Sequence, residues 1–251
     1  MAELKTPTET VTLPSKGLLY PKESPLSKGE IEMCYMTAKH EDILTNVNYI
    51  NQGIVIDKLL QALIVTPINY DDLVVGDKNA IMIAARVLGY GKDYTFSYIS
   101  KGKELTTTVD LSALKDKEMD ESLFTSGVNE FTFTLPTTGN IITFKLLTHG
   151  DEKKIEAEIK GLKKVNPNGS TDVTTRLKHI ITSINGDREA KAIRDFVDNS
   201  FLAPEARAFR EYYSKISPDI NLKFIPEDDN YVGEGIDIPI SLNFFWPDAG
   251  I

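Results

Sequence analysis

The side chains able to do chemistry in this 251-residue sequence are scattered rather than grouped. Its three histidines, His40, His149 and His179, lie far apart, and none belongs to a His-Glu-x-x-His or His-x-His arrangement that would aim two imidazoles at one metal. His40-Glu41-Asp42 and His149-Gly150-Asp151 read as polar helix entries, where carboxylates complement the positive end of the helix dipole. His179, between Lys178 and Ile180, reads as a surface or half-buried residue of a helix. Asp71-Asp72 and Asp228-Asp229 pair carboxylates, but acid–base work needs environments that separate two pKa values, and a cation needs converging oxygens. Adjacency supplies neither. Gly89-Tyr90-Gly91-Lys92 lacks the spacing and the hydroxyl of a phosphate loop and reads as a helix stop and turn. Neither Gly-x-Gly-x-x-Gly nor Gly-x-Ser-x-Gly occurs. The single cysteine, Cys34, excludes an internal disulfide, and its apolar neighbours predict a buried, inert thiol.

The expectation is therefore a non-enzymatic chain with no catalytic, metal or cofactor site and no small-molecule substrate. What remains is adhesion. Leu13, Leu18, Leu19 and Tyr20 stand in a proline-interrupted stretch that cannot form a core locally, and Phe244, Phe245 and Trp246 place large apolar area close to the last residue. Both groups are predicted partner-binding residues; for the aromatic group, inward packing on a last strand is the alternative.

Twenty-eight basic against 37 acidic side chains give a net charge of −9, which lacks the electrostatic footprint of phosphate-backbone binding. Asp219 to Ile251 holds seven acids and one Lys, hence −6, and the remainder only −3. A basic face through Lys153, Lys154, Lys160, Lys163, Lys164, Arg176 and Lys178 is diluted by Glu152, Glu156 and Glu158, so nucleic acid is not expected as a partner. Met1 to Lys16 has no apolar run resembling a secretory signal, and no stretch approaches the eighteen or so apolar residues of a membrane span, which predicts a cytosolic chain without a membrane partner.

Periodicity then supplies the elements. The first thirty residues, with Pro7, Pro14, Pro21 and Pro25, read as an extended arm, followed by a strand over Ile31 to Thr37. Ile56, Leu59, Leu60, Leu63 and Ile64 form one helical stripe ended by Pro67, and Asp77 precedes a second helix that Gly89 stops. Asp93 to Leu111 alternates with period two about Ser100 to Lys103, and Phe131–Leu135 with Ile141–Leu146 makes a second hairpin; the four strands are predicted to share one antiparallel sheet. Four helices follow, marked by Ile155/Ile159/Leu162, Leu177/Ile180/Ile181/Ile184, Ala190/Ile193/Phe196/Val197 and Ala206/Phe209/Tyr213/Ile216. Leu222 and Phe224, then Ile236 through Phe244, return to strand around an acidic loop from Glu227 to Gly235. The architecture is α+β: an arm over 1–30, a helical unit with a leading strand over 31–92, β-hairpins over 93–148, a helical group over 149–217, and a terminal strand pair over 218–251 that can return to the central sheet.

In order, Leu13-Pro14-Ser15-Lys16-Gly17-Leu18-Leu19-Tyr20-Pro21, Glu41-Asp42-Ile43-Leu44, the helix through Leu59 and Leu60, Asp71-Asp72-Leu73 with Gly76-Asp77, Arg86-Val87-Leu88-Gly89-Tyr90-Gly91, and Ile238-Pro239-Ile240 with Phe244-Phe245-Trp246-Pro247 resemble the T4-type phage baseplate hub subunits, also described as baseplate hub assembly chaperones. The resemblance touches almost the whole chain. It implies a non-enzymatic protein acting in the infected bacterium's cytoplasm while the central hub is built, with other hub proteins or its own copies as partners. Persistence in the virion as a permanent structural subunit and an enzyme without a recognisable motif are the alternatives. Some relatives carry Cys-x-x-Cys-like pairs as zinc knuckles in their hairpins; the equivalent turns here, Ser100 to Lys103 and Pro226 to Asp229, hold no cysteine, so no metal is carried over.

Overall fold

A computed structural model describes residues 6–100, 102–167, 169, 171–226 and 235–245. The chain is α+β, with small antiparallel sheets set among helices.

The predicted arm is folded onto the chain's own body. β1 (Thr8–Thr12) pairs antiparallel with β2 (Glu30–Cys34), Val11 opposite Ile31. Between them the prolines do not keep the chain extended. Ser15 to Tyr20 runs through tight turns in which Lys16 N–H donates to Leu13 O and Tyr20 N–H to Gly17 O. Gly17 takes φ +77° with Ser27 O within 2.4 Å of where a Cβ would stand, so both conformation and space demand glycine there. Leu13, Leu19, Leu26 and Ile31 are all buried.

α1 (Ala38–Leu44), α2 (Val47–Gln52) and α3 (Val55–Leu63) follow, and the predicted stripe of α3 buries Leu59, Leu60 and Leu63 completely. α4 (Val75–Tyr90) is the central helix. It starts two residues before Asp77, which lies in its first turn, and it runs past Gly89 to a stop at Gly91, whose φ of +83° ends the helical path. Gly89 has another duty: its missing Cβ leaves room for the Met36 side chain.

β3 (Asp93–Ser100) and β4 (Lys103–Asp110) form the first predicted hairpin, with Tyr94 opposite Val109 and Phe96 opposite Thr107. β5 (Phe131–Thr134) and β6 (Ile141–Phe144) form the second. The shared four-stranded sheet is not what forms. The first hairpin stays two-stranded, while β6 pairs on its other edge with β7 (Ile181–Ile184), a segment the sequence placed on a helix. The reason is packing. Phe96 and Tyr98 meet Phe224, whereas Phe131 stacks on Phe144 and Phe144 meets Phe209, so the hairpins face different hydrophobic partners.

α5 (His149–Val165), α6 (Asp172–Ile180), α7 (Ala190–Asn199) and α8 (Ala203–Ile216) are the four expected helices, with the second cut short where β7 begins. Thr148 caps α5, accepting from Asp151 N–H while the Asp151 carboxylate accepts from Thr148 N–H, and Pro204 sits in the first turn of α8. The terminal strand pair shrinks to β8 (Lys223–Phe224) with β9 (Ile236–Asp237), a sheet of its own that lays Phe224 on β3. The alternation from Ile238 to Phe244 does not continue as strand: α9 (Leu242–Phe245) closes the described chain. Buried residues from Leu13 to Phe245 belong to one contiguous core.

Among the described residues no helix is long and apolar enough to cross a membrane. No group of three or more His, Cys, Asp or Glu among them is placed to hold a metal ion.

Candidate functional site

The predicted partner-binding side chains had to bury against their own domain or against another chain, and those described are largely taken up by the chain's own core. Leu13, Leu19, Tyr20, Phe244 and Phe245 are at most 4% exposed. Leu18 is half-buried and its carbonyl accepts from Gly127 N–H. Phe244 packs edge-to-face on Tyr94 at 4.8 Å and on Phe245 at 5.0 Å. The physical reason is that both ends lie against α4, which has apolar surface on more than one side. Trp246 lies outside the described residues, as does the acidic pair Asp228-Asp229.

The arm is held by charge as well as apolar area. Asp77, fully buried in the first turn of α4, accepts from Ser15 N–H at 2.9 Å, Ser15 Oγ at 2.6 Å and Tyr20 Oη at 2.5 Å. Tyr20 Oη in turn accepts from Val74 N–H at 3.1 Å. Burial pushes the Asp77 carboxyl up against the downward pull of these donors, and burial and Asp77 together raise the Tyr20 phenol.

Another set of titratable groups lies elsewhere; Asp57, Lys78, His149 and Lys153 of it line a groove of about 820 Å3 between α3, α4, α5 and the C-terminal turn at Ile240 and Phe245. Lys78 of α4 pairs with Asp57 of α3 at 2.6 Å and lies 3.1 Å from Nδ1 of His149, the first residue of α5. Tyr70 donates to Asp57 Oδ1 at 3.0 Å and its ring meets the His149 imidazole edge-on at 4.7 Å. His149 Nε2 faces Asp57 at 3.6 Å and Asp71 at 3.9 Å, and Lys153 binds both oxygens of Asp71 at 3.0 Å. Burial first, and the neighbouring Lys78 ammonium second, hold the imidazole below its usual range; Tyr70 is shifted up, by burial and then by Asp57. At neutral pH the imidazole is uncharged, and its Nδ1 accepts a hydrogen bond donated by the Lys78 ammonium.

Chemically, this set ties elements together. Asp57 is engaged by Lys78 and Tyr70, and Lys78 by Asp57 and His149, so the groups joining α3, α4 and α5 satisfy one another. Among the described residues the imidazole's polar neighbours are Lys78, Asp57 and Asp71, and no serine, threonine or cysteine is hydrogen-bonded to it. Sequence reasoning placed His149 at a helix entry, where it stands, and singled out neither Asp57 nor Lys78. It did not join the three, because their approach depends on the docking of α5 onto α3 and α4, where His149 N–H donates to Leu73 O at 2.7 Å.

The remaining sites resolve individually. His40 Nδ1 accepts from Thr37 N–H at 3.0 Å at the start of α1, as a helix-entry residue would. His179 pairs with Glu158 at 2.8 Å on the outer side of α5 and α6. Cys34 is buried, with its thiol shifted up by burial. In the region tested as a basic face, Arg176 makes a two-pronged pair with Glu152 at 2.7 and 2.8 Å, Lys153 is held by Asp71, and Lys178 by Asp198 at 2.7 Å. Arg86, 3% exposed, spans from Gly91 O at 2.7 Å to Asp93 O at 3.1 Å with its guanidinium over the Tyr90 and Tyr94 rings. It braces the root of the β3–β4 hairpin. No family model, no curated protein and no solved structure matches the chain.

Proposed function

We propose that this chain is a non-enzymatic assembly protein of a phage baseplate hub, acting as a hub subunit or a hub assembly chaperone that binds other hub proteins in the cytoplasm of the infected bacterium. The observation that supports this reading is where the words of the resemblance lie in the fold. Ser15 and Tyr20 of the first word grip Asp77 of the fourth. Glu41 of the second accepts from Tyr90 Oη of the fifth at 2.8 Å, and Arg86 of that word lies over Tyr94, whose hydroxyl donates to Pro239 O of the last at 2.9 Å. Words far apart in sequence thus touch one another and hold the arm, the central helix and the C-terminal turn together.

With Leu13, Leu19, Tyr20, Phe244 and Phe245 folded inward, contact with a hub protein falls to the outer surface. The β3–β4 hairpin is suited to it: it pairs with no third strand among the described residues, so backbone donors and acceptors along its edges are open to strand addition. Its outer face presents paired hydroxyls, Thr95 with Thr108 at 2.8 Å and Ser97 with Thr106 at 3.3 Å, which keep that face from collapsing onto an apolar surface at random.

Recovery of the full-length tagged chain from infected cells is expected to bring down one or more hub proteins. Recovery of none, under conditions where hubs assemble, overturns the assignment. Quantitative detection of the chain in purified particles separates a permanent subunit from a chaperone that departs.

A further inference from the structure

A cleft of about 390 Å3, adjoining the His149 groove at Val75 and Glu152, opens where the start of α4 meets α6 and α8. Val74, Leu146, Leu147, Leu177 and Ile180, all buried, make its floor. The backbone there is already satisfied: Val75 N–H donates to Leu147 O at 3.1 Å and Leu147 N–H to Tyr213 Oη at 3.0 Å. The floor therefore offers apolar surface with no polar demand. Val173, 55% exposed, stands at the mouth, an apolar side chain left in water beside an apolar hollow.

The mouth is polar in a specific way. Arg176 is committed to Glu152, and Lys117 lies 3.8 Å from Asp219. Arg210, exposed on the face of α8 that also presents Ser214 and Ser217, makes no ion pair or hydrogen bond among the described residues. An apolar hollow of a size suited to small molecules, with one uncommitted guanidinium at its edge, selects an anion with an apolar body.

We infer that this cleft binds a small aliphatic monocarboxylate, its chain on the Leu147–Leu177–Ile180 floor and its carboxylate on Arg210. Binding here does not depend on the assembly role, because neither the hairpin edges nor the arm contributes to the cleft.

Three eight-carbon probes test it: octanoate, octanol and octylammonium, each titrated into the full chain carrying labelled Ile, Leu and Val methyl groups. Octanoate is expected to bind with a Kd on the order of 0.1–1 mM. It should move the methyl resonances of Val173, Leu177 and Ile180 while leaving those of Leu26 and Leu63, buried elsewhere, in place. Octanol should bind more weakly and octylammonium weakest. Arg210→Gln, an exposed change that leaves the core intact, should weaken octanoate roughly fivefold and leave octanol unchanged. Unmoved cleft methyls at several millimolar octanoate, equal affinity for the three probes, or an octanoate affinity indifferent to Arg210→Gln would each overturn the proposal. Recovery of bound hub proteins bears on none of these outcomes, so the two readings fail separately.

Discussion

Asp77 shows how a single residue can carry what an element pattern only suggests. A carboxylate in the first turn of a helix is ordinarily a surface residue that complements the dipole, worth a few tenths of a kcal/mol. Here it is buried, and three donors from the first twenty residues converge on it. Replacing it with Ala leaves Ser15 N–H and two hydroxyls buried without an acceptor, and is expected to cost about 3 kcal/mol of stability. Asp77→Asn keeps one acceptor and should cost about half of that. Urea unfolding midpoints of the two variants check the order; equal midpoints for wild type and Asp77→Ala would show that the arm is not held at this point. Nothing in the types or spacing of Ser15, Tyr20 and Asp77 announced the contact, since 57 to 62 residues separate the partners. Only the apolar stations around Ser15 hinted that this stretch needed somewhere to bury.

Among the elements, period-3.6 and period-2 patterns were readable wherever apolar residues recur at one spacing, even in α4, which buries more than one side. α3, α4, α5, α7, α8 and both hairpins follow their stripes. The misreadings share a cause. Ile181 and Ile184 extend the stripe of α6 in sequence, yet the free edge of β6 offers ladder hydrogen bonds, and β-branched side chains are well suited to the pleat. Ile236 through Phe244 alternates, but the pairing available in β8 is two residues long, so the rest packs against Tyr94 and α4 instead. Helical glycines separate local propensity from packing in the same way. Gly161 in α5 has open space around it, and Gly161→Ala should stabilise the chain by about 1 kcal/mol through helix propensity. Gly76 in α4 would put a Cβ 1.8 Å from Pro218 O, so Gly76→Ala should destabilise by about 3 kcal/mol despite the same propensity gain. Thermal unfolding of the two variants reads opposite signs if the α4 junction with residues 217–219 is as tight as described.

For the molecule as a whole, the question is what joins the first half to the second. The His149 cluster lies on that junction, facing Asp57 on α3, Tyr70 and Asp71 on the turn before α4, Lys78 on α4 and Lys153 on its own helix. Its imidazole is held below its ordinary value of 6.5, so the unfolded chain takes up the proton first. The neutral form's contribution is complete above about pH 6.5 and shrinks as the pH falls below it. His149→Gln, which keeps an acceptor for Lys78, should remove that part of the pH dependence; parallel urea series from pH 7.5 to 5 on the two proteins measure the difference, and superimposable pH profiles would refute it.

Taken by itself, the amino-acid order determined the α+β class, the positions of most helices and hairpins and the buried thiol, because these depend on side-chain periodicity and on residue types within one turn or one strand. Tertiary structure decided which strands pair, that Leu13, Tyr20 and Phe244 serve the chain's own core, and that Asp57, Lys78 and His149 meet. Those outcomes turn on contacts between residues tens of positions apart, where competing surfaces of similar apolar character are distinguished only by fit.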